Sequence, residues 1–242
     1  MGATASGQAK LALESARKVA ASVPHEALNT TPILQGFLVV PYWAMVRFGQ
    51  WDSILDDTGP HFATPFTKGA WRYARAMALT AKDRLDEAEQ ELAKLEEILA
   101  DPALTGRITF SANSGLAVLR IAPDVVAGEI AAKKKDWDTA TRLLERAVRF
   151  EDALIYQEPA DWHAPVRQVL GAVLLEAGRA DEAEAVFWED LKKNPESGWS
   201  LYGLKQAFEA QSKKADVDLI EQRFQKAWKD ADITLTSARI IK

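Results

Sequence analysis

The sequence predicts an all-α protein, and three features of its patterning support this prediction. Apolar residues recur at intervals of three and four, as in Leu85, Leu92, Leu95 and Leu99, which is typical of an amphipathic helix. No segment alternates apolar and polar residues with the period of two that a half-buried strand requires. Short segments of turn-forming residues separate the helical patterns. We therefore expect at least roughly 60% helix.

The turn segments recur along the chain with similar residues around them. They begin at Gly7, Gly49, Asp83, Lys135, Gly178 and Ser212. Two of the steps between them are 34 residues long, and the other three are longer. Turns at these positions predict about five helix hairpins, with insertions near residues 101–114 and 151–164 that form loops on one face.

The two ends of the chain differ from the hairpins between them. Residues 1–24 form an orphan second helix whose first helix is mostly absent, so we expect the chain to be the C-terminal part of a longer protein. Residues 31–218 hold the hairpins, and residues 219–242 hold a capping helix, Leu219–Leu235, and a tail. The apolar side of the orphan helix needs a cover, which a second copy can supply in a homodimer.

The best-defined hairpin, Ala164–Glu196, has small residues where its two helices would cross. Gly171 and Ala183 allow the helices to approach closely. Phe187 fills the space beside them, and Pro195 ends the second helix. A hairpin with this period and this placement of small and bulky residues resembles the tetratricopeptide (TPR) repeat family. The resemblance covers most of the chain and implies a right-handed α-solenoid of about five TPR-like repeats.

Motifs in the last third of the chain resemble a narrower group, the C-terminal half of large bacterial TPR-repeat proteins of undefined function. The motifs are Pro165-x-Arg167-x-x-Leu170-Gly171-Ala172, Asn194-Pro195 and Leu201-Tyr202-Gly203-Leu204. This second resemblance implies an architecture and no particular reaction.

Composition and spacing argue against several classes of function. The net charge of −5 offers no broad basic surface for nucleic acid, and the chain has no Cys for thiolate chemistry. The three histidines, His25, His61 and His163, lack metal-ligand spacing. No apolar stretch is long enough to span a membrane and no export signal is visible, so we expect a cytoplasmic protein. We also expect no catalysis, no cofactor and no bound metal.

The insertion at residues 151–164 holds the first group of candidate binding residues, which are Tyr156, Glu158, Trp162 and His163. Exposing aromatic side chains is unfavourable, so this loop either packs down or binds a ligand. Arg167 follows one turn into the next helix. It could hold a carboxylate or carbonyl of a ligand, or it could pair with Glu158 or Asp190 as an internal brace.

The second group of candidate residues lies on the predicted inner helices. The TPR resemblance implies a concave groove lined by the first helix of each hairpin, and it places Trp43, Tyr73, Trp199 and Tyr202 there. We expect the two aromatic residues of the loop, Tyr156 and Trp162, to approach Trp199 and Tyr202. The sequence then predicts an apolar, aromatic-lined groove that recognises a protein or peptide segment.

Two other functions remain open from the sequence. The chain could be the C-terminal solenoid wall of a larger metal-dependent or small-molecule-processing enzyme. It could also be a purely structural self-association module. Paired histidines upstream would favour the enzyme, and a size that depends on concentration would favour self-association.

Overall fold

The computed structural model describes residues 2–107 and 112–241. It is 70% helix, and the described residues contain no β-strand, which confirms the all-α prediction. The α-helices are α1 Gly2–Ala5, α2 Ala9–Ala21, α3 Gln35–Leu38, α4 Val40–Arg47, α5 Trp51–Asp56, α6 Pro65–Ala81, α7 Leu85–Leu99, α8 Gly115–Leu119, α9 Ile121–Lys133, α10 Trp137–Asp152, α11 Val166–Glu176, α12 Ala180–Lys193, α13 Gly198–Ala210 and α14 Lys214–Ala227. Short 3₁₀ helices cover His25–Asn29, Pro32–Leu34 and Pro102–Thr105.

Consecutive helices pack as hairpins. The pairs are α4 with α5, α6 with α7, α9 with α10, α11 with α12, and α13 with α14. The first helices of successive hairpins also contact one another, from α4 through α6, α9 and α11 to α13. We call these five the inner helices. Their packing places one continuous apolar core between the inner helices and the second helices of the hairpins.

The six predicted turns share one backbone geometry. The residue at each turn has a positive φ, namely Gly7, Gly49, Asp83, Lys135, Gly178 and Ser212. At all six turns the next residue donates its N–H to the carbonyl five residues earlier, at 2.8–3.0 Å. This is the Schellman motif, which satisfies carbonyls at a helix end and lets the second helix start two residues later. The turn positions near 49, 83, 135, 178 and 212 are confirmed.

Glycine at two helix crossings makes room for one aromatic ring. The ring of Phe187 in α12 is fully buried between Gly171 of α11 and Gly203 of α13. A Cβ added at either glycine would lie 2.2–2.5 Å from Cζ of Phe187. Gly128 of α9 has the same relation to Leu144 of α10, at 2.8 Å. The crossing and filling roles predicted for Gly171 and Phe187 therefore agree with the packing.

The two insertions have different structures. In the first, Leu104 of the short 3₁₀ helix is buried in the core, and Arg107 forms a single antiparallel bridge with Ser114. Residues 108–111 of this insertion lie outside the described residues. The second insertion begins later than expected, because α10 continues to Asp152, and its non-helical part is residues 153–165. We call residues 153–165 the binding loop, after the role that the sequence predicts for them.

The N-terminal helix α2 packs on α4 within the same chain. Its buried face consists of Ala9, Ala12 and Ala16. Leu11 and Val19 are exposed, and Leu13 is partly buried against the core. Asp232, which is distant in the sequence, caps this helix. Its two carboxylate oxygens accept backbone N–H groups at the start of the helix, at 2.6 and 2.9 Å.

The C-terminal prediction needs a correction. The expected capping helix Leu219–Leu235 starts earlier and ends earlier, because α14 covers Lys214–Ala227. Trp228 then turns the chain, since its indole packs against Gly7 and Gly198, and its Nε1 donates to the carbonyl of Ile233 at 3.0 Å. Residues 233–241, which we call the C-terminal tail, continue without helix along the inner helices.

Candidate functional site

The binding loop is held in place by one buried amide. Asn113 donates from Nδ2 to the carbonyl of Ile155 at 2.9 Å and to Oδ2 of Asp161 at 2.8 Å. Its Oδ1 accepts the backbone N–H of Ile155 at 2.9 Å. Asn113 therefore connects the first insertion to the binding loop and fixes both ends of the segment 155–161.

Four of the predicted site residues form one aromatic cluster. Trp162 is buried, with its ring centroid 5.6 Å from that of Trp43 and 5.2 Å from that of Tyr73. His163 stacks on Trp43 at 4.8 Å, and its Nε2 lies 3.2 Å from the hydroxyl of Tyr73. The loop thus packs down through Trp162 and His163. The expected approach of Trp162 to Trp199 is replaced by this cluster on α4 and α6.

The other two predicted groove residues lie in a separate cluster near the chain ends. Trp199 is buried, and its Nε1 donates to the carbonyl of Thr4 at 3.0 Å. Trp228 meets the Trp199 ring edge-on, with centroids 5.4 Å apart. Tyr202 packs on Phe224 at 5.3 Å. Residues from both chain ends therefore cover the surface that was expected to be open at Trp199 and Tyr202.

Tyr156 and Glu158 remain at the surface of the binding loop. The side chain of Tyr156 is 82% exposed, so the expected contact with Trp199 and Tyr202 is not made. Its hydroxyl donates to Oε1 of Glu158 at 2.9 Å, and this hydrogen bond raises the pKa of Tyr156. Both side chains are accessible to a ligand.

Arg167 is a brace, but not with the expected partner. It donates from Nη1 and Nη2 to the two carboxylate oxygens of Asp152, at 2.7 and 2.6 Å. Lys193 also donates to Asp152. The hydrogen bond from Arg167 is the largest cause of a fall in the pKa of Asp152 to about 2. The expected pairing with Glu158 or Asp190 is therefore wrong, and Arg167 ties α10 to α11.

Arg47 is the central charge of the site, and sequence reasoning gave it no role. Its guanidinium lies 3.7 Å from the centre of the Trp199 ring, and its Nη2 donates to Oε1 of Gln168 at 2.5 Å. It is only 7% exposed, and its Nε has no hydrogen-bond partner among the described residues. Burial lowers the pKa of Arg47 to about 9, so the side chain remains a cation at neutral pH.

Asp190 is linked to Arg47 through Gln168, and we call these three residues the site floor. Its Oδ2 accepts from Nε2 of Gln168 at 2.9 Å and from the hydroxyl of Ser200. Its Oδ1 accepts from Nδ2 of Asn194 at 3.0 Å. The hydrogen bonds that join Arg47, Gln168 and Asp190 link α4, α11 and α12, and all three side chains are buried. A buried carboxylate with three donors can balance a buried guanidinium without direct contact.

Two titratable groups beside this floor have strongly shifted pKa values. Burial, helped by the nearby charge of Arg47, lowers the pKa of His163 to about 3, so its imidazole is neutral. Its Nδ1 has no partner among the described residues. Burial raises the pKa of Glu151 to about 7, although the backbone N–H of Val166 donates to its carboxylate at 2.9 Å.

These residues surround one cavity of about 730 Å³. Its walls are the binding loop, the α12–α13 connection and residues 2–6 at the N-terminus. Three basic side chains line it, namely Arg47, Arg167 and Lys193. Six acidic side chains also line it, namely Glu151, Asp152, Glu158, Asp161, Asp190 and Glu196. The lining therefore combines the aromatic side chains of Tyr156 and Trp162, which the sequence predicted for this site, with an excess of acidic side chains that it did not predict.

Comparison with protein-family models, with curated proteins and with solved structures gives no match to this chain. Within the described ranges, no helix has the length and apolar character needed to cross a bilayer. The same ranges contain no group of three or more His, Asp or Glu side chains that could hold a metal ion.

Proposed function

We propose that the protein is a binding module, built as a right-handed solenoid of about five TPR-like repeats, whose cavity beside the binding loop takes a protein or peptide segment. The support for the architecture is the recurring turn geometry and the glycine-to-ring packing at the helix crossings. The support for the function is the cavity itself. Its volume lies within the range typical of ligand pockets.

The single observation that carries the proposal is the buried guanidinium of Arg47 at the cavity. Its Nε is desolvated and has no acceptor in the described part of the chain. An unsatisfied buried donor costs about 1–3 kcal/mol, so an entering carbonyl or carboxylate oxygen would gain a charge-assisted hydrogen bond. A peptide backbone supplies such an oxygen with little steric demand.

The charge of the lining defines the preferred segment further. Acidic side chains outnumber basic ones by six to three, and Glu158 stands at the exposed rim beside Tyr156. A segment that places a carbonyl near Arg47 and a basic side chain near Glu158 would therefore complement both ends of the cavity. Aromatic Tyr156 offers a face for the same basic group.

The test uses fluorescently labelled peptides of equal length with net charges of about +2 and −2, and measures binding by anisotropy. We expect the basic peptide to bind more tightly. Glu158→Gln should weaken its binding about 2–5-fold, the range of an exposed ion pair. Glu189→Gln is the matched control, because Glu189 is an exposed carboxylate outside the cavity lining. Equal affinity for both peptides, or no binding of either, would refute the proposal.

Arg47→Met provides a second variant, since it keeps a chain of similar length on the Trp199 ring and removes the guanidinium. We expect at least about a tenfold loss of affinity, because a charged hydrogen bond is worth about 1.5–3 kcal/mol. Circular dichroism of this variant checks that the helices remain. The enzyme-wall and self-association functions stay predictions, since no feature of the cavity favours them.

A further inference from the structure

The C-terminal tail lies on the inner helices as a bound peptide would. Gln206 of α13 donates from Nε2 to the carbonyl of Thr236 at 3.1 Å. Arg239 reaches α9 and α11, and Ile240 packs against Gly49 at the end of α4. Ala238 and Ile241 are buried. The tail therefore crosses the series of inner helices from α13 to α4, and none of residues 233–241 belongs to the cavity lining.

Side chains, rather than backbone ladders, hold the tail. The described residues show no backbone–backbone hydrogen bond that anchors residues 234–241. The strongest contact is Arg239, which is only 6% exposed. Its Nη1 and Nη2 donate to the two carboxylate oxygens of Glu176, at 3.1 and 3.0 Å. Its Nε lies 3.0 Å from Oε1 of Glu129.

The receiving site is built for a guanidinium. Glu129 is 1% exposed, and burial raises its pKa to about 7 even though Arg239 opposes the rise. Its second oxygen, Oε2, is buried without a partner among the described residues. A buried carboxylate that loses its cation is destabilised or takes up a proton, so the site favours an occupant with positive charge. The guanidinium donates to both oxygens of Glu176 while its Nε faces Glu129, and a lysine ammonium cannot reproduce this planar, bidentate geometry.

We propose that this surface of α9, α11 and α13 recognises an extended partner peptide that carries arginine followed by two aliphatic residues, and that the C-terminal tail is its displaceable internal occupant. The aliphatic pair corresponds to Ile240, which lies beside Gly49, and Ile241, which is buried in the apolar core. Because no backbone–backbone hydrogen bond among the described residues holds residues 234–241, a partner segment that competes for the site needs to replace only side-chain contacts of the tail and the hydrogen bond from Gln206.

The first experiment measures displacement of the tail in the full-length chain. The chain has no Cys, so Thr236→Cys gives a single labelling site on an exposed tail side chain. A fluorophore there reports release when the synthetic peptide ITLTSARII, the sequence of residues 233–241, is added. We expect a saturable signal change, and at least about a tenfold weaker effect for the same peptide with Lys at the arginine position.

The second experiment opens the site without removing the tail. Arg239→Met keeps the apolar tail and deletes the guanidinium, so the internal occupant is weakened. We expect the labelled peptide to bind this variant at least about tenfold more tightly than it binds the unmodified chain, because the competing bound state is less populated. Glu176→Gln should reverse this gain, whereas Glu209→Gln, an exposed carboxylate on α13, should leave it unchanged.

Three results would overturn the proposal. One is the absence of any tail release at millimolar peptide. Another is equal potency of the arginine and lysine peptides. The third is a dimer in light scattering that forms in step with tail release, since that result assigns the site to the tail of a second copy. If Arg239→Met fails to fold, the displacement experiment on the labelled full-length chain still decides.

Discussion

Gly203 and Gly171 both lie against the ring of Phe187, and replacing either should reveal how tightly the helix hairpins are packed. A Cβ at Gly203 would lie 2.2 Å from Cζ of Phe187 and 2.5 Å from Cε1. Carbon atoms do not approach this closely, and Phe187 is fully buried, so the ring has no solvent to move into. Gly203→Ala must therefore separate α12 from α13 or force the ring away from its rotamer.

The expected change in the free energy of unfolding is the difference of two opposing effects of the alanine. Ala in a helix interior is about 1 kcal/mol more favourable than Gly. Overpacking a buried site costs about 1–3 kcal/mol, and the short distances at Gly203 place this case near the upper end. We expect Gly203→Ala to lower the free energy of unfolding by about 1–2 kcal/mol.

A double-mutant cycle isolates the clash. Phe187→Leu removes Cζ, the atom nearest to both glycines, at the cost of some buried area. In the Phe187→Leu background, Gly203→Ala should be neutral or stabilising, which gives a coupling of about 2 kcal/mol. Urea unfolding followed by circular dichroism measures all four proteins. If Gly203→Ala destabilises both backgrounds equally, contact with the Phe187 ring is not the cause.

Two further predictions concern the binding loop and its supports. Burial raises the pKa of Glu151 from 4.5 to about 7. Between these two pH values the folded protein binds a proton that the unfolded chain releases, so the free energy of unfolding falls as the pH rises. Glu151→Gln should therefore gain up to about 3 kcal/mol relative to the unmodified chain between about pH 4 and pH 8, and a pH-independent difference in urea unfolding would contradict this. Asn113→Ala removes the amide that holds Ile155 and Asp161, so amide hydrogen exchange in residues 154–161 should accelerate about tenfold or more, while unchanged protection would rule out the anchoring role.

Local interactions explain why the turns could be predicted. At Gly178 the positive φ and the two Schellman hydrogen bonds involve residues within five positions of one another. Asp83, Lys135 and Ser212 adopt the same conformation without glycine, and their flanking residues made the turns recognisable. The roles of Gly171 and Phe187 could be predicted for a related reason, because a helix hairpin places them opposite each other whatever its neighbours do.

Long-range contacts explain what the sequence did not reveal. Trp162 finds Trp43 across more than a hundred residues, and periodicity carries no information on such a pairing. The helical pattern continues past Ala227, yet α14 stops there because Trp228 packs on Gly7 and Gly198. A signal for Arg47 existed in its place at the end of an apolar inner helix, where a charged residue needs a buried partner.

The two proposed sites place their buried charges in opposite ways, which makes their ligands distinguishable. On the tail surface the protein contributes the anions Glu129 and Glu176, and the segment brings the guanidinium. In the cavity the protein contributes the buried cation Arg47, so the segment must bring an oxygen to the deep end and can place a basic group only at the rim. Burying an arginine beside Arg47 would cost several kcal/mol, because two desolvated cations would lie close together. Both sites nevertheless accept a segment with positive charge, so the variants separate the two assays: Arg47→Met should weaken binding at the cavity, and Glu176→Gln should weaken binding at the tail surface.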